Sequence, residues 1–81
     1  MEIKREEKGT RGIFTVIEDD AQMGEMTYVW KDDNTIVIDH TEVYPRYEGR
    51  GIGRNMFREA VAFARGRTVQ LIPAGSFREA W

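Results

Sequence analysis

The sequence predicts an α+β fold: three antiparallel strands, a crossover helix, a parallel fourth strand and a C-terminal helical stub. Three observations support this prediction. Short β-branched or alternating segments fill the first half of the chain, a glycine-rich turn follows a proline, and apolar residues at helical spacing follow that turn. A strand, a helix and a further strand in this order form a right-handed crossover, which makes the two strands parallel.

Three segments of the first half have the composition of strands. Residues 13–17 form a β-branched run, residues 25–30 alternate with a period of two, and residues 35–43 form the longest strand, which Pro45 ends. Acidic and amide turn residues join these segments. The charged residues before position 13 are either a loose lead-in or an edge strand with a weak pattern.

The third of these strands becomes polar toward its C-terminal end. Simple alternation divides it into two faces, one with Ile36, Ile38, His40 and Glu42 and the other with Val37, Asp39, Thr41 and Val43. We therefore expect this end of the strand to border a cleft or the solvent. Asp39 and Thr41 are interpreted as structural residues.

The glycine-rich turn is followed by a predicted amphipathic helix. Its apolar stripe, at spacings of three and four, consists of Ile52, Met56, Phe57, Ala60, Val61 and Ala64. A basic ridge on another side consists of Arg50, Arg54 and Arg58. Gly66 is placed to end the helix, and residues 69–72 form a short apolar strand. Ser76 begins a capping box, which predicts the helical stub before Trp81.

Composition limits the class of protein. The 81 residues are enough for one domain, which we expect to span residues 1–81. The absence of cysteine excludes disulfides, thiolate metal sites and a cysteine nucleophile. No run of about 18 apolar residues predicts a transmembrane helix, and the first twelve residues lack the apolar segment of a signal peptide. We therefore expect a cytoplasmic monomer or small homo-oligomer.

Charge is divided unevenly along the chain, although the net charge is only −2. Residues 1–45 carry five Lys and Arg against eleven Asp and Glu, whereas residues 46–81 carry seven Arg against three Glu. An anionic ligand is therefore expected on the second half, although a solvated helix face also accounts for the arginines. The acidic first half opposes binding to nucleic acid.

The turn at residues 48–55 has the features of an anion site. Glycines allow a tight turn and close approach of the backbone to a ligand, and the first amides of a helix lack intrahelical acceptors. Such a site suits a pyrophosphate. A Walker loop is excluded because Arg and Asn follow Gly53, and a dinucleotide fingerprint needs wider glycine spacing after a first strand. A glycine-rich loop without a ligand is the alternative.

These residues resemble the acetyl-CoA-binding motif of the GNAT acetyltransferase superfamily, R/Q-x-x-G-x-G/A after a strand and a proline. The match is closer to a small single-domain branch of it. The resemblance rests on the run I-D-H-T-E-V at 38–43, the glycine turn at 49–53, the pair Ser76-Phe77 and the run G-E-M-T-Y at 24–28. It extends over residues 12–78.

The resemblance implies acetyl-CoA as the cofactor, with its pantetheine arm in an opening between two strands of the superfamily sheet. The corresponding strands here are residues 35–43 and 69–72. Amides of the glycine turn would hold the pyrophosphate, and Val43 and Ile38 would line the pantetheine region. The expected cofactor-binding residues are Val43, Gly49, Arg50, Gly51, Ile52, Gly53 and Arg54.

Two positions depart from the pattern. Glu48 stands where the superfamily motif has Arg or Gln, and an acidic group beside a pyrophosphate is unfavourable by about 1 kcal/mol near a surface. Arg46 and Arg50 flank Glu48 and are placed to neutralise it; a shifted register that begins at Arg46 also fits the motif. Gly75 replaces the cysteine that the branch is proposed to use in catalysis, which closes a covalent thiol route.

Direct attack of an acceptor amine on acetyl-CoA is then expected, as the resemblance implies for most of the superfamily. This reaction needs a base. His40 is the one histidine of the chain, and histidine changes protonation near neutral pH. Glu42 would orient His40 or act as the base itself. A hydrogen-bonded strand end is the alternative interpretation of His40.

Two functions from different classes follow. The first is an N-acetyltransferase whose acceptor is a small-molecule or peptide amine. The second is a non-catalytic CoA-binding or protein-interaction module that has lost the thiol. Neither nucleic acid nor a membrane is expected as a partner.

Overall fold

The computed structural model describes residues 1–74, which form a five-stranded sheet covered on one face by a helix. The strands are adjacent in chain order, with β1 to β4 antiparallel and β5 parallel to β4. The elements are β1 Glu2–Lys8, β2 Arg11–Glu18, β3 Ala21–Asp32, β4 Thr35–Val43, α1 Ile52–Arg67 and β5 Gln70–Pro73. The α+β class and the crossover are confirmed. The predicted stub after Ser76 lies outside the described residues.

The sheet has four antiparallel strands rather than the predicted three, because the charged N-terminal segment is an edge strand. β1 pairs with β2 from Glu2↔Ile17 to Lys8↔Arg11. Ile3 is the β1 side chain that packs partly against the core, while its neighbours are charged and exposed. Charged side chains on an edge strand oppose pairing with another chain, which explains why the segment lacks the apolar pattern of a strand.

One apolar core lies between α1 and the sheet. The strands contribute Phe14, Val16, Met23, Met26, Tyr28, Ile36, Ile38 and Val43 to it. The predicted stripe of α1 is confirmed at Ile52, Met56, Ala60 and Ala64, which are buried, while Phe57 and Val61 are half-buried. Burial of each large apolar side chain stabilises the fold by roughly 1.5–3 kcal/mol. Gly12 is needed here because a Cβ atom at this position would overlap the ring of Tyr28.

A β-bulge in β4 changes which residues share a face. Thr27 pairs with His40, but the next residue, Tyr28, pairs with Ile38, so Asp39 has no partner of its own in the register. Ile36 and Ile38 face α1 before the bulge, and Thr41 and Val43 do so after it. The prediction that Ile36 and Ile38 share a face with His40 and Glu42 was therefore wrong, because an inserted residue reverses the alternation.

Hydrogen bonds hold the bulge on the face of the sheet opposite α1. Asp39 Oδ1 accepts a bond of 2.6 Å from Thr27 Oγ1, and its Oδ2 accepts one of 3.0 Å from the Arg11 guanidinium. The Thr27 bond and the charge of Arg11 lower the pKa of Asp39. Asp39 thus stays ionised and joins β2, β3 and β4 beside the site described below.

The helix ends one residue beyond the predicted stop. Gly66 lies inside α1, and Thr68 adopts the left-handed conformation with φ of 56°. The amide of Val69 then donates to the carbonyl oxygen of Ala64 at 2.9 Å, which satisfies one of the last carbonyls of the helix. Within residues 1–74, no helix is long and apolar enough to cross a membrane.

Candidate active site at the end of β4

In the described part of the chain, β5 pairs with the first half of β4 only. The two strands pair from Thr35↔Gln70 to Ile38↔Pro73, and the amide of Ala74 donates to the Ile38 carbonyl at 2.8 Å. β4 continues to Val43 and still pairs with β3 on its other side. Within residues 1–74, the edge of β4 that follows Ile38 and faces away from β3 has no neighbouring strand; this edge is the opening beside β4. Backbone groups on such an edge are available to hydrogen-bond a ligand.

The glycine turn lies at the same end of the sheet. After β4, residues Pro45–Tyr47 form a turn of 3-10 helix. Gly49 and Gly51 then have φ of 83° and 75°, a left-handed conformation that side chains with a Cβ atom adopt at a cost. A Cβ atom at either glycine would meet nothing within 4 Å. The glycines are therefore required by backbone conformation and not by lack of space.

The first amides of α1 have no acceptor within the helix. The amide of Asn55 donates to the Gly51 carbonyl at 3.0 Å, the first bond of the helix. The amides of Ile52, Gly53 and Arg54 therefore have no acceptor within the helix. The N-cap residue is Gly51, which has no side chain that could accept a hydrogen bond from them. Such amides, together with the helix dipole, favour an anion.

The arginines near the turn do not neutralise Glu48 as expected. Arg50 donates instead to Glu18 at the end of β2, over 3.1 Å. This hydrogen bond and the positive charge of Arg50 lower the pKa of Glu18. Arg46 places its guanidinium 5.5 Å from the centre of the Tyr47 ring. Glu48 is exposed to solvent, where water screens its charge.

His40 and Glu42 lie together on the face opposite α1. His40 Nε2 is 3.5 Å from Glu42 Oε1 and 3.9 Å from Oε2 of Glu25. These side chains are between about a quarter and two fifths exposed, so they are accessible to a ligand. The sequence analysis selected His40 and Glu42 as candidates but did not select Glu25. Glu25 lies on another strand, and only the register of β3 on β4 brings it opposite Glu42.

Two further side chains hold Glu25 in position. Gln22 Nε2 donates to Tyr44 Oη at 2.7 Å and to Glu25 Oε1 at 3.4 Å, and Tyr44 Oη donates to the same Oε1 at 3.3 Å. Burial and the charge of Glu25 raise the pKa of Tyr44, so its hydroxyl keeps the proton that it donates. One carboxylate oxygen of Glu25 is therefore fixed, and the other faces His40.

Close packing of β3 on β4 maintains this geometry. A Cβ atom on Gly24 would lie 2.8 Å from the carbonyl oxygen of Glu42. A larger residue there would push β4 away from β3 beside the Glu25–Glu42 pair. The described residues contain no group of three or more His, Asp or Glu side chains able to hold a metal ion.

The predicted site residues thus divide between the two faces of the sheet. His40 and Glu42 lie on the open face with Glu25. Val43 is buried on the α1 face, and the turn from Gly49 to Arg54 leads from β4 to the start of that helix. Gly75, which stands where the branch has its cysteine, lies outside the described residues.

Solved structures of known proteins have a similar fold. A GNAT family acetyltransferase from Elizabethkingia anophelis with acetyl-CoA bound aligns with a TM-score of 0.72 and 15% identity, over 79% of this chain and 42% of that chain. A mutant of the BH1408 protein from Bacillus halodurans aligns with a TM-score of 0.70 and 14% identity, over 85% and 50% of the two chains. This chain therefore spans half or less of the length of these structures. The sequence matches no curated protein.

A family model described as GCN5-related N-acetyl-transferase matches residues 13–81, which is most of the chain. This match includes most of β2, all of β3, β4, the glycine turn, α1 and β5, and it leaves out β1. The chain therefore belongs to the family of GCN5-related N-acetyltransferases.

Proposed function

We propose that this chain is an N-acetyltransferase that forms one acetyl-CoA-binding domain over residues 1–81 and acetylates a small-molecule or peptide amine. One observation carries the proposal: within residues 1–74, the half of β4 that β5 does not reach is followed by the glycine turn and by the first amides of α1, which lack acceptors within the helix. An extended ligand with a pyrophosphate at one end fits these two features together. Acetyl-CoA has this form, and the relative from Elizabethkingia anophelis was solved with it bound.

The residues around the opening fit the parts of acetyl-CoA. The amides from Gly49 to Arg54 match the pyrophosphate, because they combine glycine turns with a helix N-terminus. The unpaired edge of β4 matches the amides of the pantetheine arm, which need both donors and acceptors. Val43 supplies apolar surface beside that edge. Arg50 would exchange its partner Glu18 for a phosphate oxygen, since both are anionic acceptors.

His40 is proposed as the base. Its Nε2 atom would accept a proton from an ammonium group, and the carboxylates of Glu42 and Glu25 both lie within 4 Å of that atom. The two carboxylates also attract a protonated amine to this face before the proton is removed. Acetyl-CoA would supply the thioester. The deprotonated amine nitrogen would form a C–N bond with the thioester carbonyl carbon while the C–S bond breaks, and the CoA thiolate would leave and take up a proton.

Two measurements test the proposal in sequence. Titration calorimetry with CoA and acetyl-CoA at low salt should show binding to the full chain; a lack of heat and of thermal stabilisation would overturn it. Acetyl-CoA turnover with a panel of amines should then be detected as free thiol. His40→Ala should lower kcat by roughly 100-fold or more, the lower range for loss of a general base.

A matched control separates chemistry from charge. Glu59 is an exposed acidic residue on α1, and Glu59→Gln should leave turnover unchanged while Glu42→Gln lowers it. The second function, a CoA-binding module without catalysis, is favoured by the missing cysteine. It would be supported if CoA binds but no amine in the panel releases thiol above the rate without protein.

A further inference from the structure

A groove of about 400 Å³ lies across β1, β2 and β3. Phe14 and Val16 of β2 are buried under α1, so Ile13, which alternates with them, faces the other way. The groove is therefore on the face opposite α1, the face that also carries His40. The side chains that line it there are Glu6, Lys8, Arg11, Ile13 and Thr27.

The groove and His40 lie in one row across the sheet. Read from β1 to β4, the paired residues of this row are Glu6, Ile13, Thr27 and His40. Neighbouring strands are about 4.8 Å apart, so Ile13 lies roughly 10 Å from His40. An acceptor whose amine is at His40 thus has the groove beside it, one strand away.

The centre of the groove is apolar. Ile13 is half-buried there, and its neighbour Gly12 has no side chain. The Thr27 hydroxyl donates its proton to Asp39 at 2.6 Å, so this proton is not available to a ligand. This part of the groove suits a hydrocarbon chain.

Two cations meet at the end of the groove beyond this row. Lys8 and Arg11 are directly opposite each other on β1 and β2, and like charges in such positions destabilise a sheet. Arg11 donates to Asp39 at 3.0 Å, yet its side chain is still 65% exposed. Lys8 is exposed as well. An anionic ligand would relieve the repulsion between these two side chains.

Of the two glutamates that border the groove, only Glu6 has its carboxylate on this side. The carboxylate of Glu7 lies on the α1 side, where it accepts hydrogen bonds from Tyr28 and Trp30. The face therefore changes in charge along its length, from the carboxylates beside His40 to the cations at the end of the groove. A ligand of complementary charge is cationic at one end and anionic at the other.

We propose that this groove binds the body of the acceptor, and that the acceptor is an amine with an anionic group at the far end of an apolar chain. The inference rests on the function proposed above and narrows its acceptor. The ammonium group would lie beside His40, the chain over Ile13, and the anionic group at Lys8 and Arg11. The two charged groups would be separated by about two strand spacings, roughly 10 Å.

The binding test uses 8-aminooctanoate, whose chain has about this length, and 8-aminooctanamide, which is equally long but has no anionic group. Each is titrated into the isotope-labelled full chain saturated with CoA, and the backbone amide signals are followed by NMR. The signals of Gly12 and Ile13 should shift, and the carboxylate compound should bind about fivefold more tightly, with a smaller difference at high salt. Equal affinities would overturn the proposal.

Substitution of a groove cation provides a second test. Lys8→Gln should weaken binding of 8-aminooctanoate about threefold, the effect of one exposed ion pair, and raise its KM in the turnover assay by the same factor. Neither value should change for 8-aminooctanamide. The matched control is Arg65→Gln, which removes an exposed cation from α1 on the other side of the sheet. Equal weakening by both variants would show an effect of net charge and contradict the groove.

The outcomes separate this inference from the proposed function. If amines are acetylated but the carboxylate and amide compounds have the same KM, the groove is wrong and the proposed function stands. If CoA shifts the amide signals of the glycine turn while neither compound shifts those of Gly12 and Ile13, the groove is again wrong. If the chain binds no CoA, both proposals fail.

Discussion

Glu25 and Glu42 face each other across β3 and β4, so two carboxylates occupy opposite positions on one face of the sheet. Like charges in such positions destabilise a sheet. His40 lies within 4 Å of both carboxylates and compensates them when its imidazole is protonated. Local arrangements that work against stability are typical of functional sites. This one fits the binding of a cationic amine.

Removing one of the two carboxylates should therefore stabilise the fold and weaken binding of the acceptor. We expect Glu25→Gln to raise the free energy of unfolding in urea by about 0.5 kcal/mol. In an acetyl-CoA turnover assay, Glu25→Gln should raise the KM for a cationic amine about fivefold. The control variant Glu59→Gln should leave that KM unchanged. Lower stability together with an unaltered KM would contradict this view of Glu25.

The glycine turn should be sensitive to substitution in a way that α1 is not. Gly51→Ala should destabilise the protein by about 1 kcal/mol, because alanine is strained at φ of 75°. Gly66→Ala should instead stabilise it by about 0.5–1 kcal/mol, since Gly66 lies inside the helix with nothing within 4 Å of the new Cβ. Urea denaturation of both variants measures the contrast. Equal effects would mean that the turn does not require the left-handed conformation.

The end of the sheet away from the site has a carboxylate whose effect on stability should depend on pH. Hydrogen bonds from Trp30 Nε1 at 3.0 Å and Tyr28 Oη at 2.7 Å lower the pKa of Glu7 from 4.5. A carboxylate whose pKa is lower in the folded than in the unfolded protein stabilises the fold at pH values above its unfolded pKa. That stabilisation is lost as the pH falls through the folded pKa.

Glu7→Gln should therefore lower the free energy of unfolding by about 1 kcal/mol at pH 7, a small value because Glu7 is partly exposed. The difference between the two proteins should narrow as pH falls below about 4.5. Urea denaturation at several pH values measures it. Asp39 titrates in both proteins, so its contribution cancels. A constant difference from pH 7 to pH 3 would contradict the assignment.

The ion pair between Arg50 and Glu18 should compete with the cofactor. Glu18→Gln removes the partner that lies 3.1 Å from Arg50 and also removes a negative charge near the turn. It should therefore tighten CoA binding about threefold at low salt. The gain should be smaller at 0.5 M salt, because salt screens exposed charges. Calorimetry at two salt concentrations checks this expectation. The control is Glu2→Gln, which removes a charge on the edge strand β1. Unchanged or weaker binding in Glu18→Gln would show that Arg50 does not take part.

Local pattern in the sequence determined the elements that build this fold. Residues 35–43 have the composition of a strand that ends before Pro45, residues from Ile52 onward repeat at helical spacing, and the glycines between them mark the turn. These signals depend on neighbours along the chain, so they can be recognised without the fold. They were enough to predict the crossover, the apolar stripe of α1 and the place where His40 and Glu42 occur.

Only the tertiary structure decided which side chains meet. The bulge at Asp39 reversed the faces of β4, because an inserted residue is visible in the pairing with β3 and not in β4 alone. The same register brought Glu25 to His40. The sequence by itself thus determined where the strands, the helix and the turn lie. Contacts between strands, which depend on register, decided what the site contains.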